Sequence, residues 1–209
     1  LFPISSHLSL LVKSLNKNFK KYKSVKKIIA SSSQISRKTK QIITKKYNRL
    51  FFETYGAAEI AFASILTPDD PKSKKNSVGK PPKDVIIKIL KKKNNKYGEI
   101  CCKTKFLSSF TFKEKKNKKI FFKESFFKTG DVGYLDNDNY LYFISRLKDI
   151  IIKSGVNIVP KKIEDVILSD NLIKNCAVIG VKDEIFGETP LAICELKKKN
   201  DKNINIFEN

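Results

Sequence analysis

Leu8, Leu11, Leu15, Phe19 and Tyr22 recur at helical spacing with lysines between them, which predicts an amphipathic helix with a basic outer face. Val25–Ala30 reads as a short buried strand, and Ser31-Ser32-Ser33-Gln34 as a polar loop. A second helix is expected from Ser36, an N-cap residue, to about Tyr47, followed by a strand over Leu50–Thr54 that ends on Tyr55-Gly56. This helix–strand–loop–helix–strand order is the rhythm of a parallel α/β sheet. From Val78 the pattern changes. Asp84–Leu90, Glu99–Thr104, Ser109–Phe112 and Lys119–Phe122 are short apolar runs between lysine-rich loops, which predicts a small antiparallel or barrel-like subdomain. Gly133–Asp136 and Tyr140–Ile144 flank the turn Asn137-Asp138-Asn139. Beyond Lys148 come a strand at Ile150–Lys153, a helix opened by Pro160, and strands at Cys176–Val181 and Leu191–Leu196.

Charge changes this picture less than its size suggests. The net charge is +22, yet residues 1–148 carry 34 basic and 11 acidic side chains and residues 149–209 carry 9 and 10. A basic chain raises nucleic acid or an anionic membrane as a partner. Against that, only Arg37, Arg49 and Arg146 are arginines, the residue favoured for bidentate grip on phosphates and bases. The lysines run together with Asn, as in Lys91-Lys92-Lys93-Asn94-Asn95-Lys96, and such runs read as solvated loops. We therefore expect no nucleic-acid partner. Cys101, Cys102, Cys176 and Cys194 lack metal-knuckle spacing, and His7 is the only histidine, so reduced thiols in an intracellular protein are expected, cytoplasmic or at a membrane surface. No apolar run is long enough to span a bilayer, and no targeting signal is visible.

Four segments carry candidate chemistry. In Tyr55-Gly56-Ala57-Ala58-Glu59, Gly56 permits a sharp turn out of a strand end, where ligands of open α/β sheets bind; a plain turn is the alternative. Thr129-Gly130-Asp131 sets a carboxylate on a glycine turn, able to accept two hydroxyl hydrogen bonds at once or simply to cap its own turn. Arg146-Leu147-Lys148-Asp149 follows fifteen residues after Asp131, across one hairpin. Lys153-Ser154-Gly155-Val156-Asn157-Ile158-Val159-Pro160 is a loop in which Gly155 permits close backbone approach.

The order and spacing of these segments resemble the adenylate-forming enzymes, the acyl-CoA synthetase and luciferase superfamily. The resemblance runs from about residue 8 to residue 196 and is most specific over residues 129–164. It implies that Tyr55 stacks on adenine, that Glu59 helps hold Mg²⁺, and that Asp131 binds the ribose hydroxyls. It also implies that Arg146 contacts ribose and phosphate oxygens, that Lys148 is the hinge between two domains, and that the Gly155 loop lines the coenzyme A tunnel. Gly56 belongs to the nucleotide-binding set. Ser32 and Ser33 fall where the family has a turn facing adenine. The sequence departs at Ala58, where the family carries Thr, and at Ser32, Ser33 and Gln34. Glu164 is read as structural, and Gly187-Glu188 receives no chemical role.

The implied fold is α/β: residues 1–148 are the end of a large AMP-binding domain, with an α/β part (1–77) and a β-rich, barrel-like subdomain (78–148). Residues 149–209 begin a small α+β C-terminal domain. The implied activity is ATP-dependent acyl-CoA synthesis with ATP, Mg²⁺ and coenzyme A. A carboxylate, expected to be a fatty acid or coumarate-like acid, passes through acyl-AMP. Lys148 at the hinge sets the chain apart from the acetyl-CoA synthetase branch, which typically has Asp there. With no Met, and with an opening inside an apolar run, the chain is expected to be an internal fragment. The phosphate loop would lie upstream and the C-terminal catalytic Lys downstream, leaving the isolated chain inactive. A non-catalytic adenylate-binding relative is the alternative that Ala58 and Ser31–Gln34 motivate; a basic polyanion binder is the alternative motivated by charge alone.

Overall fold

A computed structural model describes residues 1–18, 24–31, 35–91, 96–107, 121–122 and 126–197. The chain divides into two compact units, Leu1–Ile144 and Ser145–Asn209. Phe19 and Tyr22 of the expected first helix, Ser32, Ser33 and Gln34, Lys92 and Lys93 of the basic run at 91–96, and the expected strand at Ser109–Phe112 lie outside the described residues.

The first unit opens with helix α1 (Ser5–Asn18), strand β1 (Ile28–Ala30), helix α2 (Arg37–Lys46) and strand β2 (Phe51–Ala57). The sequence sets both ends of α2. The Ser36 hydroxyl accepts from the Thr39 N–H at 3.2 Å, and the Tyr47 N–H donates to the Ile43 carbonyl at 2.7 Å. β1 and β2 pair in parallel, Ile28 opposite Phe51, with α2 as their crossover. Leu8 and Val12 of α1, Ile28, Ile43, Tyr47, Phe51 and Leu66 form the core beneath this sheet. Burying each large aliphatic side chain here contributes roughly 1.5–3 kcal/mol.

Strand β3 (Ala61–Leu66), unforeseen from the sequence, turns back antiparallel to β2 and completes a sheet of order β1-β2-β3. One buried ion pair ties helix to sheet. Lys40 of α2 meets the carboxylate of Glu53 on β2 and donates to the Ser77 carbonyl at 2.6 Å. Burial pushes the Glu53 carboxyl up, against the pull of Lys40.

Among the described residues, the remainder of the unit holds a five-stranded antiparallel sheet. It comprises β4 (Val85–Leu90), β5 (Gly98–Thr104), β6 (Phe121–Phe122), β7 (Phe126–Leu135) and β8 (Leu141–Arg146, whose last two residues fall in the second unit). The order is β4-β5-β7-β6, with β8 also on β7. Ile60, Ala63, Val85, Ile87, Ile100, Cys102, Phe127 and Leu141 form its core, with Tyr55 and Phe143 packed against it. The expected turn at Asn137-Asp138-Asn139 joins β7 to β8: Asp136 Oδ1 accepts from the N–H groups of Asp138 and Tyr140. Between the two sheets runs Val78-Gly79-Lys80. Lys80 bridges to Ile65 of β3, while the Val78 N–H and Gly79 carbonyl pair with Leu141 of β8. A side chain on Gly79, at φ +91°, would meet the Ile65 carbonyl at 2.0 Å, so only glycine admits this segment.

The second unit holds a four-stranded antiparallel sheet, β10-β9-β12-β11, made of β9 (Ile151–Lys153), β10 (Val156–Ile158), β11 (Ile173–Asp183) and β12 (Gly187–Leu196). Helix α3 (Pro160–Ile167) has Pro160 at its first turn and packs on β11, where Glu164 accepts the Val178 N–H at 3.1 Å. Glu164 is thus structural, as expected. Glu188 has a comparable part, its carboxylate accepting the Ile152 N–H at 2.6 Å. Among the described residues, no helix is long and apolar enough to cross a membrane.

Candidate active site

Tyr55 and Asp131 stand 76 positions apart in sequence and meet in the fold. β2 brings Tyr55 from the three-stranded sheet and β7 brings Asp131 from the five-stranded one; the phenol donates to Asp131 Oδ2 at 2.7 Å. Asp131 is only 4% exposed, so the phenol is a charge-assisted donor to a buried carboxylate. The Tyr55 ring lies 6.1 Å from that of Phe143, tilted by 42°.

The backbone that presents Asp131 differs from the expected turn. Thr129-Gly130-Asp131 lies inside the ten-residue strand β7, at an irregularity where the pairing of β5 and β7 shifts between Glu99 and Cys101. Gly130 takes φ +71° there, with open space where a side chain would be. The conformation and not crowding therefore requires glycine, as in a bulge. Two side chains to which the sequence assigns no role hold the bulge. The Thr129 hydroxyl donates to the Ile100 carbonyl at 2.8 Å and accepts the Asp131 N–H at 3.1 Å. Glu99 accepts the Gly130 N–H at 3.3 Å. A Thr two positions before the Asp, with Gly between, was the available signal for such a local hydroxyl bridge.

Gly56 also departs from expectation. It lies within β2, where the register with β3 shifts between Tyr55 and Gly56, and makes no sharp turn out of the sheet. Its need is space: a Cβ would stand 1.8 Å from the Ala61 carbonyl oxygen. The chain reverses at residues 58–60, and this turn carries half-buried Glu59 beside the fully buried Ile60. Ala58 is exposed there.

The remaining candidates belong to the second unit. Arg146 ends β8 and Lys148 sits in the single 3-10 turn Leu147–Asp149, flanked by extended residues; both side chains are exposed. Gly155 lies in a two-residue hairpin between β9 and β10, where Lys153 pairs with Val156 and both Ser154 (φ +49°) and Gly155 (φ +78°) have positive φ. Nothing lies within 4 Å of where its Cβ would be, so the hairpin itself, and not close backbone approach, accounts for the glycine.

The thiols are free. Burial pushes Cys101 and Cys102 up to about 11, and both are enclosed in the five-stranded sheet. Among the described residues, no group of three or more His, Cys, Asp or Glu side chains could by itself hold a metal ion.

Residues 2–109 match the model of the AMP-binding enzyme family, and residues 162–207 match that of the AMP-binding enzyme C-terminal domain. The 2-succinylbenzoate–CoA ligase of Oceanobacillus iheyensis is 36% identical over 68% of this chain and 30% of its own length; that of Lactococcus lactis is 37% identical over 72% and 33%. This chain thus spans about a third of the length of these relatives. The structure of o-succinylbenzoate CoA synthetase from Bacillus subtilis with its acyl-adenylate intermediate superposes with a TM-score of 0.79 at 28% identity, over 96% of this chain and 42% of that one. ATP-bound MatB from Rhodopseudomonas palustris gives a TM-score of 0.83 at 25% identity, over 97% and 42%. With both family models matched in chain order on a fold shared with those structures, the chain belongs to the adenylate-forming, AMP-binding enzymes.

Proposed function

We propose that this chain supplies the adenosine-holding part of an AMP-forming acid–CoA ligase whose acid is an aryl keto acid of the 2-succinylbenzoate type. The observation that carries the reading is the pairing of the Tyr55 phenol with the buried Asp131 carboxylate. It fixes a carboxylate beside an aromatic ring, the combination that adenosine requires. Asp131 accepts hydrogen bonds from the ribose diol, and the Tyr55 ring offers a face to the base. The donor set fits a nucleotide. For Mg²⁺ it offers Glu59 alone, which suits an ion that keeps its waters and takes its other ligands from substrate phosphates. Bound there, Mg²⁺ would neutralise phosphate charge. Arg146 supplies a further cation for phosphate oxygens, Lys148 the hinge and Gly155 the bend of the loop toward coenzyme A.

The reaction has two displacements. The substrate carboxylate oxygen attacks the α-phosphorus of ATP, expelling pyrophosphate; the thiol of coenzyme A then attacks the acyl carbon, expelling AMP. The protein's contribution is chiefly to position the reactants and stabilise charge. The succinylbenzoate ligases among the relatives support the aryl acid, and the expectation of a fatty acid draws no support from them. The 209 residues alone are proposed to be inactive.

The test is pyrophosphate exchange by the full-length protein. Exchange that depends on 2-succinylbenzoate and not on fatty acids supports the reading. Exchange with fatty acids alone overturns the aryl assignment. Full-length protein that binds AMP but exchanges with no acid favours the non-catalytic relative, the reading in keeping with Ala58.

A further inference from the structure

Cys176 and Cys194 are direct partners across the antiparallel pair β11–β12. Their sulfurs lie 3.6 Å apart, although the residues are 18 positions apart in sequence. Directly opposed residues of antiparallel strands have Cα separations of about 4.5–5.5 Å, inside the roughly 4.4–6.8 Å span that disulfides use, so the strands need not move for the sulfurs to bond. The pair is also accessible: Cys194 is exposed and Cys176 half-buried. Cys101 and Cys102 make the contrast. As neighbours on one strand they point to opposite faces of the sheet, and both are buried.

We propose that Cys176 and Cys194 form a redox-active dithiol, a modification site at which low-molecular-weight disulfides close an intrachain bond across β11 and β12. The exposed Cys194 thiolate attacks one sulfur of the disulfide RSSR, forming a mixed disulfide and releasing RS⁻. The Cys176 thiolate then attacks the Cys194 sulfur, forming the Cys176–Cys194 bond and releasing the second RS⁻. The protein loses two electrons and two thiol protons, and RSSR becomes two RSH. Cys194 is the more exposed thiol and meets RSSR first, which leaves the half-buried Cys176 to resolve the mixed disulfide.

The experiment exposes full-length protein to oxidised glutathione and maps the products by non-reducing digestion and mass spectrometry. The expected product joins the peptides holding Cys176 and Cys194, with the loss of two hydrogens and full reversal by dithiothreitol. Cys176→Ser should instead trap a glutathione adduct on Cys194. Bonds between chains, or oxidation that bypasses this pair, overturn the proposal. Titration of the unmodified protein in glutathione redox buffers provides a second readout that requires no variant. The folded protein should hold its bond at a [GSH]²/[GSSG] at least about tenfold higher than the same chain in denaturant. Equal values would mean that the strand register confers no preference for the bond, and the proposal would fail.

Discussion

Replacing Tyr55 with Phe removes one oxygen and leaves the ring, which isolates the hydrogen bonding of the phenol to β7. The phenol donates to Asp131 Oδ2 at 2.7 Å, and Asp131 is 4% exposed. A hydrogen bond to a charged acceptor contributes about 1.5–3 kcal/mol, against about 0.5–1.5 kcal/mol between neutral groups. Burial places Tyr55→Phe in the upper range, at about 2 kcal/mol of stability. Packing of the ring against Phe143 and the second core is retained, so the loss stays below the roughly 3–5 kcal/mol typical of truncating a buried aromatic to Ala. The assay is urea denaturation of wild type, Tyr55→Phe, Asp131→Ala and the double variant. Coupling of about 1 kcal/mol or more is expected. If the single effects add to within about 0.3–0.5 kcal/mol, the two side chains do not act as a pair and the reasoning fails.

Two glycines should respond to alanine for different reasons. Gly56→Ala drives a methyl to 1.8 Å from the Ala61 carbonyl oxygen and should cost about 1–3 kcal/mol or more through displacement of β3. Gly155→Ala meets open space and should cost about 1–2 kcal/mol through its positive φ alone, so denaturation midpoints should rank Gly56→Ala as the less stable; the reverse order would refute the clearance argument. A third expectation concerns acid. Desolvation raises the Asp136 carboxyl, but hydrogen bonds from Lys74 and from the N–H groups of Tyr140 and Asp138 outweigh it and hold the group below its ordinary value. Its contribution is therefore present above the usual carboxylate range and lost as pH falls through the lower folded value. The stability gap between wild type and Asp136→Asn should be widest near about pH 6 and shrink toward about pH 3; a gap that widens in acid would refute the assignment.

Much of the fold was legible because local chemistry and tertiary position agree. Ser36 and Tyr47 mark the ends of α2 from the sequence alone, and β4, β5, β11 and β12 follow apolar runs bounded by turn residues. Three strands were hidden by their own composition. β7 contains Thr129-Gly130-Asp131, which reads as a turn; only the register against β5 shows that a strand continues through a bulge. β3 follows directly on the candidate motif at 55–59, and the three residues of β10 lie between a hairpin glycine and Pro160, too short a run to declare a strand. At the candidate site, Tyr55 and Asp131 each stand out in the sequence, but their contact does not, since no local rule joins residues 76 positions apart. The reasons for the glycines were likewise invisible: clearance at Gly56 and hairpin geometry at Gly155 depend on strands that had not been placed.

Val78-Gly79-Lys80 is hydrogen-bonded to β3 on one side and β8 on the other, fastening the sheet that carries Tyr55 to the sheet that carries Asp131. The proposed adenosine seat is therefore a seam between two sheets. Mild denaturant or a bulky residue at Gly79 should part that seam first, so nucleotide affinity would fade while strand content persists. Binding, in turn, would act as a clasp: adenosine contacting both residues would draw the seam shut and slow amide exchange at Val78 and Lys80.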